Sequence, residues 1–143
     1  MNEAQLASVA QSLVADGRGI LASDESTGTI NRRFEAIVIE STEENRRTYR
    51  EVLFTTAELG NYISGAILYD ETIRQSAADG RPFTKVLNDQ NIHPGIKVDT
   101  GAKPLAGADG ETVTEGLDGL ADRIAEYVSL GATFAKWRAV ITI

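Results

Sequence analysis

The chain has 143 residues, enough for one domain that buries about two-thirds of its unfolded surface. Hydrophobic residues at 42% and charged residues at 24% are ordinary for a globular protein, and the absence of cysteine excludes disulfide frameworks, thiolate zinc sites and cysteine nucleophiles. A single histidine, His93, argues against a histidine-rich metal centre or a Ser-His triad, and a net charge of −7 (14 Lys and Arg, 21 Asp and Glu) against broad nucleic-acid or anionic-membrane binding.

In chain order, Leu6, Val9, Ala10, Leu13 and Val14 recur at helical spacing, with Asp16-Gly17 as the stop. This opening has no basic n-region and no long apolar h-region, so it does not read as a signal peptide, and no run approaches the ~20 apolar residues of a membrane span. A cytoplasmic location is expected. Residues 19–23 read as a buried strand, residues 24–29 as a polar loop, and Ile30, Phe34 and Ile37 as a short helix. Ser41-Thr42-Glu43-Glu44 fits a capping box opening a helix that runs to about Leu59, with the two glutamates at its positive end. Residues 62–69 form the next apolar strand, closed by Asp70-Glu71, which read as helix-capping carboxylates rather than metal ligands. The segment 72–90 is helical at its front, broken by Asp79-Gly80-Arg81-Pro82, and helical again over 83–87. A third strand spans 94–99 and a glycine-rich loop 100–110; Thr112 to Glu115 fits a second capping box, and Leu120, Ile124, Tyr127 and Val128 place a helix over about 117–130. Residues 133–140 read as a fourth strand.

Short apolar strands separated by helices predict an α/β fold with a parallel sheet covered on both faces. Function then belongs at the C-terminal strand ends, where Asp24, Glu25, Asp70, Glu71, Lys97, Asp99, Lys136 and Arg138 fall. Only four lysines occur, and Lys97 and Lys136 lie inside apolar strands, where an unpaired ammonium is costly. Lys136 and Arg138 are two apart, which places both on one face of a strand, with Trp137 turned toward the helices. Each lysine taken alone fits a solvated edge-strand residue. Two lysines, an arginine and Asp24 at equivalent strand positions fit a shared anionic-ligand site suited to a phosphorylated substrate. Gly17-Arg18-Gly19-Ile20-Leu21-Ala22 matches a dinucleotide pattern but precedes its strand, which is the wrong context. His93, beside Pro94, reads as a surface loop residue; Tyr127 and Phe134 read as core.

Residues 19–28 (Gly-Ile-Leu-Ala-Ser-Asp-Glu-Ser-Thr-Gly) resemble the first-strand motif of class I fructose-bisphosphate aldolases. So do Thr42-Glu43-Glu44-Asn45-Arg46-Arg47, Asp79-Gly80-Arg81-Pro82-Phe83, Gly95-Ile96-Lys97-Val98-Asp99, Pro104-Leu105-Ala106-Gly107, Gly116-Leu117-Asp118-Gly119-Leu120 and Phe134-Ala135-Lys136-Trp137-Arg138, in the family's order. The resemblance implies a TIM (β/α)8 barrel of which residues 1–143 supply the first four βα-type units, a half-barrel and a single incomplete N-terminal domain. It implies reversible cleavage of fructose 1,6-bisphosphate to dihydroxyacetone phosphate and glyceraldehyde 3-phosphate, with no metal and no cofactor. By motif, Asp24 resembles the carboxylate beside the Schiff-base nitrogen and Lys136 the lysine that assists proton transfer. Lys97 and Arg138 resemble substrate or phosphate contacts, Arg33 and Arg46 arginines associated with phosphate, and Ser26 and Thr29 hydroxyls lining the same region. Thr29 stands where many relatives have serine, and Ser23 replaces a common alanine.

In the family, the Schiff-base lysine, a glutamate acid-base group, a serine-glycine phosphate loop and a flexible tail lie on later strands; none has a counterpart here. Neither Lys97 nor Lys136 carries the Schiff-base motif, so the isolated chain is expected to be inactive. The expected partners are a sugar phosphate and further copies of the chain, as a family-type tetramer or through unpaired sheet edges, but not nucleic acid or membrane. Two alternatives stand beside this expectation: a non-catalytic sugar-phosphate-binding or self-associating half-barrel, and another phosphosugar enzyme on the same fold.

Overall fold

The computed structural model describes residues 2–15 and 17–140; Asp16 of the expected Asp16-Gly17 stop therefore lies outside the described residues. The elements are α1 (Glu3–Leu13), β1 (Gly19–Ser23), α2 (Thr27–Glu35), α3 (Glu43–Phe54), β2 (Ile63–Leu68), α4 (Asp70–Ile73) and α5 (Phe83–Asn88). After them come β3 (His93–Lys97), β4 (Gly101–Pro104), β5 (Thr112–Glu115), α6 (Leu120–Ser129) and β6 (Phe134–Lys136). Parallel pairing builds one sheet in the order β1-β2-β3-β6, and helices supply the crossovers that parallel neighbours require.

Local chemistry sets the boundaries, and several differ from the expectation. Helix α3 is capped one residue later than Ser41: the Thr42 hydroxyl accepts from the Asn45 N–H at 3.1 Å, with Glu43 and Glu44 in the first turn. It ends at Phe54 rather than Leu59, where the Thr55 and Thr56 hydroxyls donate back to the Glu51 and Val52 carbonyls at 2.7 and 2.9 Å. A separate 3₁₀ turn covers Leu59–Asn61. The glycine-rich loop after β3 is instead an antiparallel hairpin of β4 and β5. Thr112 to Glu115 is therefore a strand and not a helix cap, in keeping with the extended preference of its β-branched Thr-Val-Thr run. Helix α6 begins only after Gly119, which takes a left-handed φ of 65°.

The core lies on the outer face of the two central strands. Ala66, Leu68, Ile96 and Val98 meet Phe54, Phe83, Val86 and Leu87 from α3 and α5, and the Phe54 and Phe83 rings pack edge-on at 5.3 Å. Tyr127 joins this cluster, as expected. The outer strands do not match the expectation of two covered faces: Ile20 on β1 is 45% exposed. The fourth strand stops at Lys136, so Trp137 lies beyond it and is 37% exposed instead of sealed beneath helices. Among the described residues no helix is long and apolar enough to cross a membrane.

Register organises the other face. Gly65 pairs with His93, Ile67 with Gly95, Gly95 with Phe134, and Lys97 with Lys136; on the far side Ile20 pairs with Gly65 and Ala22 with Ile67. Side chains two apart share a face, so this face is layered. At its base His93 meets the C-terminal turn of α1, where it hydrogen-bonds the Ser12 hydroxyl, and Leu13 lies against Gly65. Burial first, and then the Arg18 charge, hold the His93 imidazole below its ordinary value. His93 is thus a half-buried strand residue, not the surface loop residue expected.

Above it the Phe134 ring lies across Gly95 and Gly65, and above the ring stand the two lysines. A methyl group on Gly95 would sit 2.2 Å from Phe134 Cζ. Gly95→Ala is expected to lower stability by about 1–3 kcal/mol in urea unfolding. Adding Phe134→Leu to that variant should cost less than Phe134→Leu costs alone, because the methyl then has room; strictly additive losses contradict the packing described.

Candidate active site

Strands β1 and β6 are the two edges of the sheet, yet the Lys136 ammonium donates to Asp24 Oδ2 at 2.7 Å. Three strand spacings separate the edges, about 14 Å in a flat sheet. A lysine and an aspartate together do not comfortably bridge that gap, so the contact reports a sheet curled toward the lysine-bearing face. The curl brings the C-terminal strand ends together around a cleft of about 380 Å³.

Asp24, Lys97, Lys136 and Arg138 all line this cleft, with Ser26 and Thr29 at the start of α2. Arg138 arrives by another route than the expected alternation: β6 has ended before it, and its backbone N–H donates to Asp99 Oδ2 at 3.1 Å. Ser26 is the N-cap residue of α2, and its hydroxyl lies 3.3 Å from that of Thr29. Ser23 is buried and donates to the Ile67 carbonyl at 2.8 Å, which ties β1 to β2 just below the cleft.

Arg33 and Arg46 are not brought into the lining. Arg33 is exposed and pairs with Glu25, donating also to the Tyr49 hydroxyl at 3.3 Å. Arg46 grips Glu71 through two bonds of 2.8 and 2.7 Å and donates to the Ser41 carbonyl at 2.6 Å. Glu71, expected as a capping carboxylate, stands in the first turn of α4 and serves mainly as this partner.

Two carboxylates at the strand ends, Asp99 and Glu25, which the sequence reading gave no role in the site, organise it. Asp99 has a side chain only 1% exposed and accepts from the Lys97 ammonium, from the Gly101 N–H at 3.2 Å and from the Arg138 N–H. Lys97 also donates to the Asp99 carbonyl at 2.8 Å. Burial alone would push the Asp99 carboxyl up, but the Lys97 and Arg138 hydrogen bonds and the charges of Lys97 and Lys136 together outweigh it and hold the group below its ordinary value. Glu25 shows the same balance: burial raises it, and hydrogen bonds and charge from Arg50, with help from Arg33, bring it lower. The buried Arg50 also donates to the Glu25 carbonyl at 3.0 Å, fixing the backbone directly after Asp24. The sequence carried a signal for Asp99, two residues beyond Lys97 and so on its face. It carried none for Thr100, Gly101 and Ala102, which line the cleft only because the hairpin folds over it.

Cations and carboxylates are therefore matched one to one at Lys136–Asp24 and Lys97–Asp99, and the Arg138 guanidinium enters no salt bridge among the described residues. Among those residues no group of three or more acidic or histidine side chains gathers as a metal site. A wider hollow of about 650 Å³ beside α1 is lined by Asn2, Gln5, Ser8 and Thr133 but by no charged side chain.

Parallel strands joined by helical crossovers, curled so that a cleft of paired lysines and carboxylates opens at their C-terminal ends, define a segment of a TIM-type (β/α) barrel. The glycolytic family described as fructose-bisphosphate aldolase class-I matches residues 5–143, and the chain belongs to that family. It is 64% identical over all 143 residues to a probable fructose-bisphosphate aldolase class 1 of Xanthomonas campestris, covering 43% of that relative. It is 58% identical over 127 residues to a cytoplasmic fructose-bisphosphate aldolase isozyme of Cicer arietinum, covering 89% of this chain and 35% of the relative. The structure matches that of fructose-bisphosphate aldolase from Plasmodium falciparum, solved in complex with TRAP and a small-molecule inhibitor. The TM-score is 0.92 at 53% identity, over 95% of this chain and 39% of that one. The chain thus spans about two-fifths of the length of these relatives.

Because the Asp99 carboxyl sits below its ordinary value when folded, the stability it contributes is fully present above about pH 4 and is lost as pH falls through the folded value. Asp99→Asn is expected to destabilise the chain at neutral pH by about 2 kcal/mol. It should also make the acid limb of a stability-against-pH curve shallower below about pH 4. An acid limb as steep as that of the parent chain contradicts this role.

Proposed function

We propose that this cleft forms part of the active site of a metal-independent, Schiff-base fructose-bisphosphate aldolase, which cleaves fructose 1,6-bisphosphate reversibly to dihydroxyacetone phosphate and glyceraldehyde 3-phosphate in glycolysis and gluconeogenesis. The observation that carries the reading is the Lys136–Asp24 pair beside Lys97 in one cleft. The roles follow from what each group can do. Asp24, a carboxylate in contact with an ammonium, stabilises positive charge on a nearby imine nitrogen. Lys136, whose side-chain nitrogen lies 2.7 Å from Asp24 Oδ2, is placed to pass a proton to a reacting oxygen. Lys97 and Arg138 supply positive charge for phosphate or hydroxyl oxygens, and Ser26 and Thr29 stand at the N-terminus of α2, a natural phosphate position. Arg33 and Arg46 join only by exchanging Glu25 or Glu71 for a phosphate.

Neither lysine of the cleft is assigned as the imine-forming nucleophile, since each amine already donates to a carboxylate. Residues 1–143 act here as one incomplete domain with negligible turnover alone. A cytoplasmic setting agrees with the chickpea relative's description, and assembly into a homo-oligomer follows from the family reading. A second reading, a sugar-phosphate-binding half-barrel that self-associates, is favoured by the outer edges of β1 and β6, which pair with no further strand among the described residues.

Thermal unfolding of the chain with ligand tests the site. Fructose 1,6-bisphosphate at a hundredfold excess over its Kd stabilises by about 2.7 kcal/mol, and fructose does not. Borohydride in the presence of the bisphosphate is expected to leave Lys97 and Lys136 unmodified. Flat melting curves across sugar phosphates contradict the site, and a trapped adduct on either lysine contradicts the assigned roles. Sedimentation that shows a ligand-binding dimer without triose phosphate release favours the second reading.

A further inference from the structure

The backbone just before Asp99 is held by a two-armed staple. The carbonyl just before it, Val98 O, accepts from Arg123 Nη1 at 3.0 Å. The other arm of the same guanidinium donates to the Gly116 carbonyl, where the hairpin returns to the sheet. Between these two points the Thr100 N–H donates to the Glu115 carbonyl at 2.9 Å. Gly116 packs so closely that a Cβ would lie 2.9 Å from Thr100 N and 3.1 Å from Asp99 Cα, and its φ of 129° excludes other residues as well. Val98 also donates its N–H to the Lys136 carbonyl at 3.1 Å, so the stapled peptide is shared with β6.

Arg123 is not among the residues that line the cleft; it lines an adjoining hollow, with Asp70 and Tyr127, that shares Lys97, Asp99 and Thr100 with the cleft. A planar two-armed donor is what the geometry uses, because two carbonyls on separate strands of chain must be held at once. Lys136 is held differently, by Asp24 at the opposite edge, which Arg123 does not touch.

We propose that Arg123 is a positioning residue for the cleft: by pinning the Val98 and Gly116 carbonyls it fixes Asp99, and through Asp99 it sets where the Lys97 ammonium stands against a bound phosphate. The proposal rests on the sugar-phosphate reading only for the identity of that anion. The constraint itself belongs to this chain and is independent of turnover.

Competitive labelling of the whole chain with trace acetic anhydride, read by peptide mass mapping, tests it. The rates at Lys97 and Lys136 are compared within the same sample, for the parent chain, Arg123→Lys and Arg123→Gln. Loss of the staple frees Lys97 from Asp99, and its rate relative to Lys136 rises about fivefold in Arg123→Gln, the change expected when a hydrogen bond of ordinary worth is lost. Arg123→Lys, which reaches one carbonyl but not both, gives a smaller rise. A ratio unchanged in both variants overturns the proposal. So does an equal rise at both lysines, which is what a merely destabilised fold produces. A separate arm adds fructose 1,6-bisphosphate to the parent chain: failure to protect Lys97 there counts against the sugar-phosphate reading, whereas protection with an unmoved ratio in the variants counts against Arg123 alone.

Discussion

The Lys136–Asp24 contact joins the last strand of the sheet to the residue just after the first, and every other feature of the cleft depends on the curvature that permits it. A flat sheet would leave these groups on separate edges. Curled, the same strands turn their ladders of alternate residues toward a common axis, and the last position of each ladder falls at the cleft. The pair is partly exposed, with side chains 29% and 14% accessible, so desolvation takes back less of the attraction than it would in a dry core.

Curvature also explains the small residues beneath. Gly65 and Gly95 sit where side chains would collide as the strands converge, and one ring, Phe134, fills the space for all of them. The floor is closed by α1 through Ser12 and His93. The result is a graded interior: a polar latch at the base, an aromatic layer in the middle, and charge at the mouth. Although the chain carries a net charge of −7, two of its four lysines are held at that mouth. Each is held by a carboxylate, a pairing that limits nonspecific anion binding while leaving positive charge available to a ligand that supplies its own oxygens.

Much of this was legible in sequence because it follows from period-two alternation. Gly95 and Lys97, or Phe134 and Lys136, are separated by one residue, so a strand assignment alone places each lysine above a glycine or a ring. The family motifs around Asp24, Lys97 and Lys136 pointed to the same groups. What failed were judgements about where elements end. Pro94 suggested a loop and drew His93 out of the strand. Pro94 in fact lies within β3, and its carbonyl accepts from the Thr133 N–H and hydroxyl at 2.8 and 3.0 Å. Thr112 to Glu115 satisfied a capping pattern, yet its β-branched residues paired with Gly101–Pro104 instead. Arg123 was hidden for another reason: its role depends on the Val98 and Gly116 carbonyls, which approach only when the hairpin folds back on β3, and no residue pattern encodes that proximity.

The curl of the sheet is tested most directly by a double-mutant cycle on Asp24 and Lys136, measured by urea unfolding of Asp24→Asn, Lys136→Met and the double variant. Residues 112 apart in sequence that share a hydrogen-bonded ion pair should couple by about 1 kcal/mol. Additive losses would mean that the two sheet edges do not meet, and the cleft described here would have no basis.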